Sequence, residues 1–558
     1  MIAAAAPLWR QPIHPFGPLL GSALAAALPI VVVLWLMAAR RKAAHVAAAW
    51  GLLAALVLAL AGWHMPAGLA LASCLYGAVY ALWPIMWIVL AALWLYNLTV
   101  ELGLFEQMRR WIVAHAGGDR CVQAILVAFC FGALLEGTAG FGAPVAIAGF
   151  LLLTLGFSAM EAVVLSLIAN TAPVAFGALG IPIVALAGVT GLNLRALSSA
   201  VGRQIPFLSL FLPAYLAAVY AGWRGLRRIW PVAAVAGISF AGIQFVVANY
   251  WGPYAPDVLA SLGSIAAVVL FLRVWTPSGA QPELAVAAAV APAEQVNVGI
   301  STHSLSREQP QRGSRQLVEA WAPWLLLAAA MVIWTVFKLF GRGALRILVP
   351  HLDGRVFITL YGHAYAAVYT FQPLAAGTAA LAAVLATAIL FRAPLRVLWT
   401  SAVQTCRQLR QPTLTVCLII ALADLYNYSG MTYTMGAALA KLGVLFPLVS
   451  AFLGWVACFL SGSDTSSNVL FGNLQVAAAH RIGINPVLTA ATNSTGAVTG
   501  KMISPQNIAV GVTTVGLTGQ EGAILRRTLW HSLIFAAAIG LLAFAQAHWL
   551  RWMIPVSK

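Results

Sequence analysis

Long apolar segments alternate with short connections that carry much of the charge along almost the whole chain. Between Arg120 and Glu161 the only charged residue is Glu136. Segments without any charged residue run over 162–194, 230–256, 320–337 and 528–550. Each is long enough for a helix of ~20 residues, which crosses ~30 Å of hydrocarbon. The pattern predicts an all-α polytopic membrane protein with about 12 transmembrane helices.

Composition excludes an ordinary soluble protein. Hydrophobic residues make up 62% of the 558 residues, charged residues make up 8%, and the mean hydropathy is +0.91. The net charge of +17 comes from Lys and Arg residues in the connections and not from one patch, which argues against a nucleic-acid partner. Arg40, Arg41 and Lys42 follow the first apolar segment and place its end on the cytoplasmic side. Both termini are then predicted to be periplasmic.

Two pairs of motifs, more than three hundred residues apart, resemble two copies of one unit. The first pair is EGTAGFGAP at Glu136–Pro144 and NTAPVAFGALGIP at Asn170–Pro182. The second pair is SGSDTSSN at Ser461–Asn468 and NSTGAVTGKMISP at Asn493–Pro505. Helix-breaking residues are tolerated inside such apolar segments only where the loosened backbone lines a cavity or packs within the protein. Paired broken helices in corresponding positions of two halves indicate a transporter with a substrate site at mid-membrane depth.

The duplication predicts an inverted repeat with two re-entrant hairpins that insert from opposite sides. The predicted elements are a first half at 1–275 with a hairpin at 121–155 and a broken helix at 161–190, a cytoplasmic flexible linker at 276–316, and a second half at 317–558 with a hairpin at 444–479 and a broken helix at 486–518. The helix breaks are expected at Asn170–Pro173 and at Asn493–Gly496. The linker is rich in Pro, Ala, Ser and Gln and has no helical or strand period.

Several longer strings point to a family: FCFGALLEGTAGFGAPVAI, NTAPVAFGALGIPI, GWVACFLSGSDTSSNVLF and TGKMISPQNIAV. Together with LWPIMWI near Trp83 and GWRG at Gly222, they closely resemble the bacterial L-lactate permease family. The resemblance implies proton-coupled uptake of L-lactate and related 2-hydroxymonocarboxylates, such as D-lactate and glycolate, across the bacterial inner membrane. It also implies an elevator movement, since the family is grouped with transporters that work in this way. Asp424 stands where the family pattern leads us to expect an apolar residue, so the resemblance assigns it no role.

A lactate ion brings a carboxylate and a hydroxyl group into a medium of low dielectric constant. Its site must therefore supply hydrogen-bond donors and offset one negative charge. Backbone N–H groups at the N-termini of broken helices meet both needs. The candidate substrate-binding residues are Gly137, Thr138, Gly140, Gly142, Asn170, Thr171, Ser461, Ser463, Thr465, Ser466, Ser467, Asn493, Thr495 and Lys501. For any single hydroxyl group, a bond to its own helix carbonyl is an alternative role.

Glu136 and Asp464 are the predicted proton-coupling residues, because an ionisable side chain at membrane depth is costly and indicates a functional site. The alternative is a structural role, in which the carboxylate accepts backbone N–H bonds at a hairpin tip or caps a helix. Lys501 is the only basic residue in either broken segment. It pairs with the substrate, forms a standing ion pair with Asp464 or Glu136, or extends to an interface, and the sequence leaves these alternatives open.

Two other classes of protein compete with a carrier. An intramembrane enzyme would need a nucleophile with a base or a metal cluster, yet the chain has no HExxH or GxSxG motif and its six cysteines are scattered. We therefore expect no enzyme, no cofactor and no metal. A channel would need a filter repeated around a pore. The expected partners are a small monocarboxylate, a proton and the lipid bilayer. Another small organic anion, sodium coupling or an anion channel remain alternatives, and the oligomeric state is open.

Overall fold

The computed structural model describes residues 8–140, 142–277 and 314–555, most of which lie in helices. The helices up to residue 274 are α1 Leu19–Ala38, α2 Ala44–Ala61, α3 Ala67–Tyr80, α4 Trp87–Glu101, α5 Leu104–His115, α6 Arg120–Gln123, α7 Gly132–Thr138, α8 Ala143–Thr154, α9 Ala159–Ala169, α10 Gly177–Thr190, α11 Leu194–Val201, α12 Ile205–Tyr250 and α13 Pro256–Val274. The later helices are α14 Ser314–Val336, α15 Ala376–Leu390, α16 Leu395–Ser429, α17 Met431–Leu439, α18 Phe446–Ser461, α19 Asp464–Ile482, α20 Pro486–Lys501, α21 Pro505–Thr514 and α22 Glu521–His548. The predicted linker at 276–316 falls largely outside the described residues, because 278–313 are not described.

Shorter turns connect several of these helices. Wider, π-helical turns cover Ala81–Met86 and Ala124–Phe131, and 3₁₀ turns cover Val174–Phe176, Leu339–Gly341, Ala440–Leu445 and Arg551–Met553. The π-helical turn Ala124–Phe131 joins α6 to α7, so that Arg120–Thr138 is one apolar helical segment. The described residues of this segment's most hydrophobic window are all buried inside the protein. It is therefore surrounded by other helices and not by lipid.

Ten described helical segments are long and apolar enough to cross a membrane, or eleven if the bent pair α9 and α10 counts as one further span. The sequence predicts about 12, and part of the difference lies in α12. Gly222 in its middle has a φ of 65° and a ψ of −168°. A Cβ at Gly237 would lie 2.1 Å from the carbonyl oxygen of Leu210, and Ser209 donates to Gln244 at 2.7 Å. These contacts show that α12 folds back on itself near Gly222.

The outer surface of α1 is apolar along one face. Leu20, Leu24, Leu28, Val31 and Trp35 follow each other at helical spacing and are 51–66% exposed. A continuous exposed apolar stripe of this kind is a liability in water but is the surface that a helix presents to lipid. The stripe supports the same conclusion as the composition, namely that the chain lies in a membrane.

The expectation of an all-α chain is incomplete, since five short strands accompany the helices. They are β1 Trp9–Arg10, β2 Leu345–Leu348, β3 Val356–Ile358, β4 His363–Ala364 and β5 Val368–Phe371. β1 pairs in parallel with β3, which pairs antiparallel with β4, and β2 pairs antiparallel with β5. The connection between α14 and α15 is rich in β-branched and aromatic residues flanked by Gly and Pro, a composition that favours short strands. No strand was predicted from the sequence in this connection.

The first hairpin consists of the segment ending in α7, a tight turn and α8. Ala139 and Gly140 both donate their N–H groups to the carbonyl of Leu135, which closes α7. Gly140 and Gly142 have φ values of 59° and 85°, a conformation that glycine adopts without the steric cost other residues incur. Pro144 lies in the first turn of α8, where its missing N–H is not needed. The glycines thus explain why the chain reverses here.

The second hairpin consists of α18, a short turn and α19. Gly462, with a φ of 69°, ends α18. Ser463 then caps α19, because its side-chain oxygen accepts the backbone N–H of Ser466 at 3.3 Å. Asp464 lies in the first turn of α19, where a negative charge is favourable near the helix N-terminus. The turn residues of the two hairpins therefore differ: glycines form the first and a serine cap forms the second.

The second motif of each pair, at Asn170–Pro182 and at Asn493–Pro505, contains a helix break, but the break in the later copy does not lie where the sequence predicts it. In the first, α9 and α10 meet at an angle of 63°, and Ala178, Leu179 and Gly180 have left-handed backbones. In the second, α20 continues without interruption through Asn493–Gly496, and the break falls at residues 502–504. In each copy the break ends just before the final Pro of the motif, at Pro182 or Pro505.

The continuity of α20 has a physical reason in its glycines. A Cβ at Gly496 would lie 2.1 Å from the carbonyl oxygen of Ala451, and one at Gly500 would lie 2.3 Å from that of Trp455. On α18, Gly454 approaches the carbonyl of Asn493 in the same way. The small residues of NSTGAVTGK thus allow α18 and α20 to pack closely, as small-xxx-small patterns do between membrane helices. The prediction that these residues break the helix is therefore wrong for Asn493–Gly496.

Candidate functional site

Glu136 and Lys501, which are 365 residues apart in sequence, form a buried ion pair. Nζ of Lys501 lies 2.7 Å from Oε1 of Glu136. The two residues are only 4% and 7% exposed. Glu136 lies on α7 near the first hairpin tip, and Lys501 is the last residue of α20, at the second break. The pair therefore joins an element of each half of the chain.

Two glycines leave room for the Glu136 carboxylate. A Cβ at Gly177, at the first break, would lie 2.8 Å from Oε1 of Glu136. A Cβ at Gly140 would lie 3.7 Å from the same oxygen. The other oxygen, Oε2, has no hydrogen-bond partner among the described residues. A buried carboxylate that keeps one free acceptor next to a cation is uncommon in a purely structural role and invites a functional explanation.

Asp464 has a different environment, although it is 3% exposed and equally cut off from water. Its Oδ2 accepts a hydrogen bond from the hydroxyl of Ser494 at 2.8 Å. Its Oδ1 has no partner among the described residues. The ammonium of Lys501 pairs with Glu136 and not with Asp464. Within hydrogen-bonding distance, the carboxyl group of Asp464 thus has only neutral neighbours among the described residues.

A chain of side-chain amides leads to Asp464 through the second half. Gln475 donates to Asn493 at 2.6 Å, and Asn493 donates to Asn468 at 2.9 Å. Asn468 donates to Ser494 at 3.1 Å, which in turn donates to Asp464. Every bond in this chain points the same way, and each strengthens the next by polarisation. The network fixes α19 against α20 and ends on the carboxyl group.

A narrow pocket adjoins Lys501. It contains about 170 Å³ of space and is too narrow for a water molecule in this conformation. Its lining residues are Val145, Leu167, Asn170, Thr171, Val498, Lys501, Met502 and Asn507. Oδ1 of Asn170 and Oγ1 of Thr171 have no partner among the described residues. One ammonium group, two amides, one hydroxyl group and apolar walls form a combination that suits a small hydroxylated anion.

The tips and breaks meet around this pocket. A Cβ added at Gly142, at the first tip, would lie 3.9 Å from Oδ1 of Asn507. The amide nitrogen of Asn507 donates to the carbonyl of Gly462 at the second tip, at 3.1 Å, and to Oγ of Ser504 at 2.8 Å. Gly177 of the first break touches Glu136, as described above. The structure therefore brings the two tips and the two breaks together.

Two predicted threonines use their hydroxyl groups elsewhere. Oγ1 of Thr138 donates to the carbonyl of Leu134, one turn back on α7, at 2.7 Å. Oγ1 of Thr495 donates to the side chain of Gln204 at 2.6 Å and so ties α20 to the start of α12. Gly137 packs against Asp257 on α13. None of these three contacts is directed at Lys501 or at the pocket beside it.

Two of the hydroxyl groups at the second tip form hydrogen bonds within the hairpin and not with the pocket. Ser461 donates to the carbonyl of Ser463 at 3.1 Å, and Ser467 donates to a backbone carbonyl of α18 at 3.1 Å. Thr465 and Ser466 are half-buried, and their side chains form no hydrogen bond with another described residue. These two side chains are therefore the freest donors at the second tip.

Asp257, a buried acid packed against the first tip, was not predicted from the sequence. It is 1% exposed, and a Cβ at Gly137 would lie 2.9 Å from its own Cβ. Its Oδ1 accepts from Nε2 of Gln244 at 2.9 Å, and the same amide donates to the carbonyl of Ala172 at the first break. The available signal was an acid directly after Pro256, at the end of a charge-free run. That pattern also describes an ordinary helix start.

The apolar spans and the lipid-facing surface define a multi-pass membrane protein, and its buried charged pair lies between broken helices. The sequence profile described as L-lactate permease matches residues 22–550. The chain belongs to the L-lactate permease family.

Characterised relatives cover nearly the whole chain. It is 42% identical to the L-lactate permease of Salmonella typhimurium, over 98% of this chain and all of the relative. It is 42% identical to the glycolate permease GlcA of Escherichia coli, over 97% and 98% of the two chains. The L-lactate permease of Bacillus subtilis is 41% identical over 98% of this chain and all of its own length. The solved YdaH transporter of Alcanivorax borkumensis shares 16% identity at a TM-score of 0.43, over 84% and 86% of the two chains, which is too distant to argue from.

Proposed function

We propose that the protein is a secondary active transporter that takes up L-lactate and related 2-hydroxymonocarboxylates, such as D-lactate and glycolate, together with protons across the bacterial inner membrane. The observation that carries the proposal is the buried pair of Glu136 and Lys501 beside a narrow polar pocket. The relatives named L-lactate permease and glycolate permease supply the substrate class. The absence of a catalytic motif from the sequence accords with a carrier and not an enzyme.

The ion pair offers a way to couple an anion to a proton. The carboxylate of the substrate competes with Glu136 for the ammonium of Lys501. Once Lys501 turns to the substrate, Glu136 is left buried without a cation, a state that costs several kcal/mol. Protonation of Glu136 removes that cost. The charge of the site is then the same before and after binding, and substrate and proton cross together.

The pocket supplies recognition of the 2-hydroxyl group. Asn170 and Thr171 lie in its wall with an unpartnered carbonyl oxygen and an unpartnered hydroxyl group. A hydroxyl on the carbon next to the carboxylate reaches such groups while the carboxylate stays on Lys501. A site built to bond a hydroxyl group rejects an analogue that lacks it, because its own polar groups then remain buried and unpaired. Asp464 and the free hydroxyl groups of Thr465 and Ser466 complete the site at the second tip.

The architecture in this proposal is an inverted repeat of two halves, 1–275 and 317–558, joined by a cytoplasmic linker, with about 12 spans and both termini periplasmic. The two hairpins insert from opposite sides and move with the broken helices in an elevator fashion. The narrowness of the pocket supports such a movement, since the conformation described has no room for a substrate to enter. Small shifts of packed helices are a common way for transporters to open such a site.

The test is transport by the purified protein in proteoliposomes. Labelled L-lactate should accumulate when a proton gradient is imposed, without sodium, and accumulation should collapse on addition of a protonophore. In counterflow, lactate and glycolate should compete far better than propionate or acetate, which lack the hydroxyl group. Lys441→Ala serves as a control, since Lys441 is exposed. A strict need for sodium, or equal competition by propionate, would contradict the mechanism or the substrate class respectively.

A further inference from the structure

Asp257 is a buried acid that the exchange at Lys501 does not use. It lies in the first turn of α13, packed against Gly137 at the first hairpin tip. Gln244 donates one hydrogen bond to it, and its Oδ2 has no partner among the described residues. No described Lys, Arg or His nitrogen lies within 4.0 Å of its oxygens. Asp257 is therefore held by a neutral amide alone.

The charges around the pocket determine which form Asp257 takes. Glu136, Asp257 and Asp464 are buried acids, and among the described residues only Glu136 of the three has a cation within 4.0 Å, namely Lys501. An isolated ionised carboxylate in a medium of low dielectric constant costs many kcal/mol, and such a group binds a proton instead.

The groups that face Asp257 do not offset a negative charge. Glu136 on the first hairpin is the charged residue that acts on it, and its sign is the same. Gln244 on α12 is neutral and is itself held by Ser209 and by the carbonyl of Ala172. Cys130, on the helical segment before the tip, bonds to Ser264 further along α13. The amide donor of Gln244 is the contact that favours a negative charge on Asp257, and complete burial and the like charge of Glu136 oppose it.

The position of Asp257 links its proton to the movement of the tip. Gly137, which covers it, is the chain neighbour of Glu136. A shift of the first tip that opens Glu136 to water therefore uncovers Asp257 as well. The same amide that binds Asp257 also binds the first break. Water then reaches Asp257 only when the tip and the break separate from α12 and α13.

We propose that Asp257 is a further proton-binding residue of the carrier, which holds a proton while the first tip covers it and exchanges that proton with water when the tip moves. On binding, one O–H bond of a hydronium ion breaks and one O–H bond forms on the Asp257 carboxylate, and release to water reverses this exchange, so no electrons are transferred. This inference rests on the proposed function, because it adds a proton to the cycle at Glu136 and Lys501.

The first test is the number of protons carried per lactate, found from the proton gradient that balances a known lactate gradient in proteoliposomes. This balance point does not depend on the transport rate, so a slow variant is still informative. Asp257→Asn should lower the ratio by one proton per lactate, and Asp257→Glu should restore it. Asp424→Asn, which removes a buried acid outside the site, is the matched control and should keep the ratio of the native protein. An unchanged ratio in Asp257→Asn, or an equal fall in Asp424→Asn, would overturn the inference.

A second test covers an Asp257→Asn protein that folds but does not transport. Infrared spectra of the purified native protein should contain the carbonyl stretch of a protonated carboxyl group that disappears in Asp257→Asn and persists in Asp424→Asn. Its persistence in Asp257→Asn would show that Asp257 is ionised, against the inference. The two failures remain distinguishable: if the native protein does not couple lactate to protons, the proposed function falls, whereas the infrared band still decides the state of Asp257.

Discussion

The two hairpin tips begin from similar sequence motifs and end with different chemistry. At the first tip, glycines expose the backbone, and Glu136 takes its partner, Lys501, from the other half of the chain. At the second tip, Asp464 bonds to Ser494 in its own half, at the end of a chain of amides. One tip is held by charge across the two halves, and the other by neutral hydrogen bonds within one half.

The difference depends on one position of the repeat. When NTAPVAFGALGIP is placed over NSTGAVTGKMISP, Lys501 falls opposite Ala178. Ala178 lies near Gly140 of the first tip, and a Cβ at Gly140 would lie 3.3 Å from that of Ala178. The duplication therefore supplies a symmetric frame, and a single lysine makes the site electrically asymmetric.

The largest expected effect follows from removing the cation. Lys501→Ala leaves Glu136 buried without a partner and should lower the free energy of unfolding by about 3–5 kcal/mol, and it should abolish lactate accumulation. The double change with Glu136→Gln should cost less stability than Lys501→Ala alone, because the paired residues are coupled. Chemical denaturation in detergent measures both. Lys441→Ala, at an exposed position, is the control.

Additive losses in this double variant, or normal transport by Lys501→Ala, would remove the ion pair from the mechanism. Glu136→Gln by itself should reduce accumulation more than counterflow, since counterflow needs no net proton movement. Uphill accumulation at the native level in Glu136→Gln would show that Glu136 does not carry the proton.

Gly496, in the contact between α18 and α20, and Gly177, beside Glu136, should respond differently when each gains a methyl group. Gly496→Ala forces α18 and α20 apart at the carbonyl of Ala451 and should cost about 1–3 kcal/mol of stability. Gly177→Ala pushes on Oε1 of Glu136 and should affect lactate affinity more than stability. Denaturation midpoints and lactate binding to purified variants separate the two. The reverse ranking would show that Gly177 is a packing residue only.

A smaller effect is expected at the second tip. Ser494→Ala removes the one hydrogen bond to Asp464 and should cost about 1–2 kcal/mol. Asp464→Asn should cost a similar amount, and the two changes together should cost less than their sum. The measurement is again the free energy of unfolding. A loss at Asp464 as large as that at Lys501 would mean that Asp464 is charged, contrary to its neutral surroundings.

The smallest effect is expected for ionic contacts outside the membrane-spanning segments. Glu106 on α5 is partly buried, which works to raise its pKa, but the hydrogen bonds and charges of Arg109 and Arg110 outweigh burial and lower its pKa below the ordinary 4.5. Its stabilising contribution is therefore present above pH 4.5 and is lost as the pH falls through the lowered pKa. Glu106→Gln should cost under about 1 kcal/mol at pH 7. Thermal unfolding at pH 7 and below pH 4 tests this, and a difference that grows on acidification would contradict it.

The apolar runs, the hairpin turns and the buried positions of Glu136 and Lys501 could be predicted from the sequence, because a charge inside a long apolar segment has few explanations. The partner of Lys501 does not follow, since it lies 365 residues away and only the three-dimensional packing brings it near. The break predicted at Asn493–Gly496 is wrong because a small residue such as Gly496 permits both a helix break and close helix packing. Asp257 escaped notice because helix starts commonly carry an acid.

The pairing of Glu136 with Lys501 can form only after most of the chain has been synthesised. A ribosome adds roughly 5–20 residues per second, so the 365 residues between the two take about 18–73 s to synthesise. During that interval the first hairpin has been synthesised without the counter-ion of Glu136. A chain that stops before Lys501 therefore leaves Glu136 without this partner.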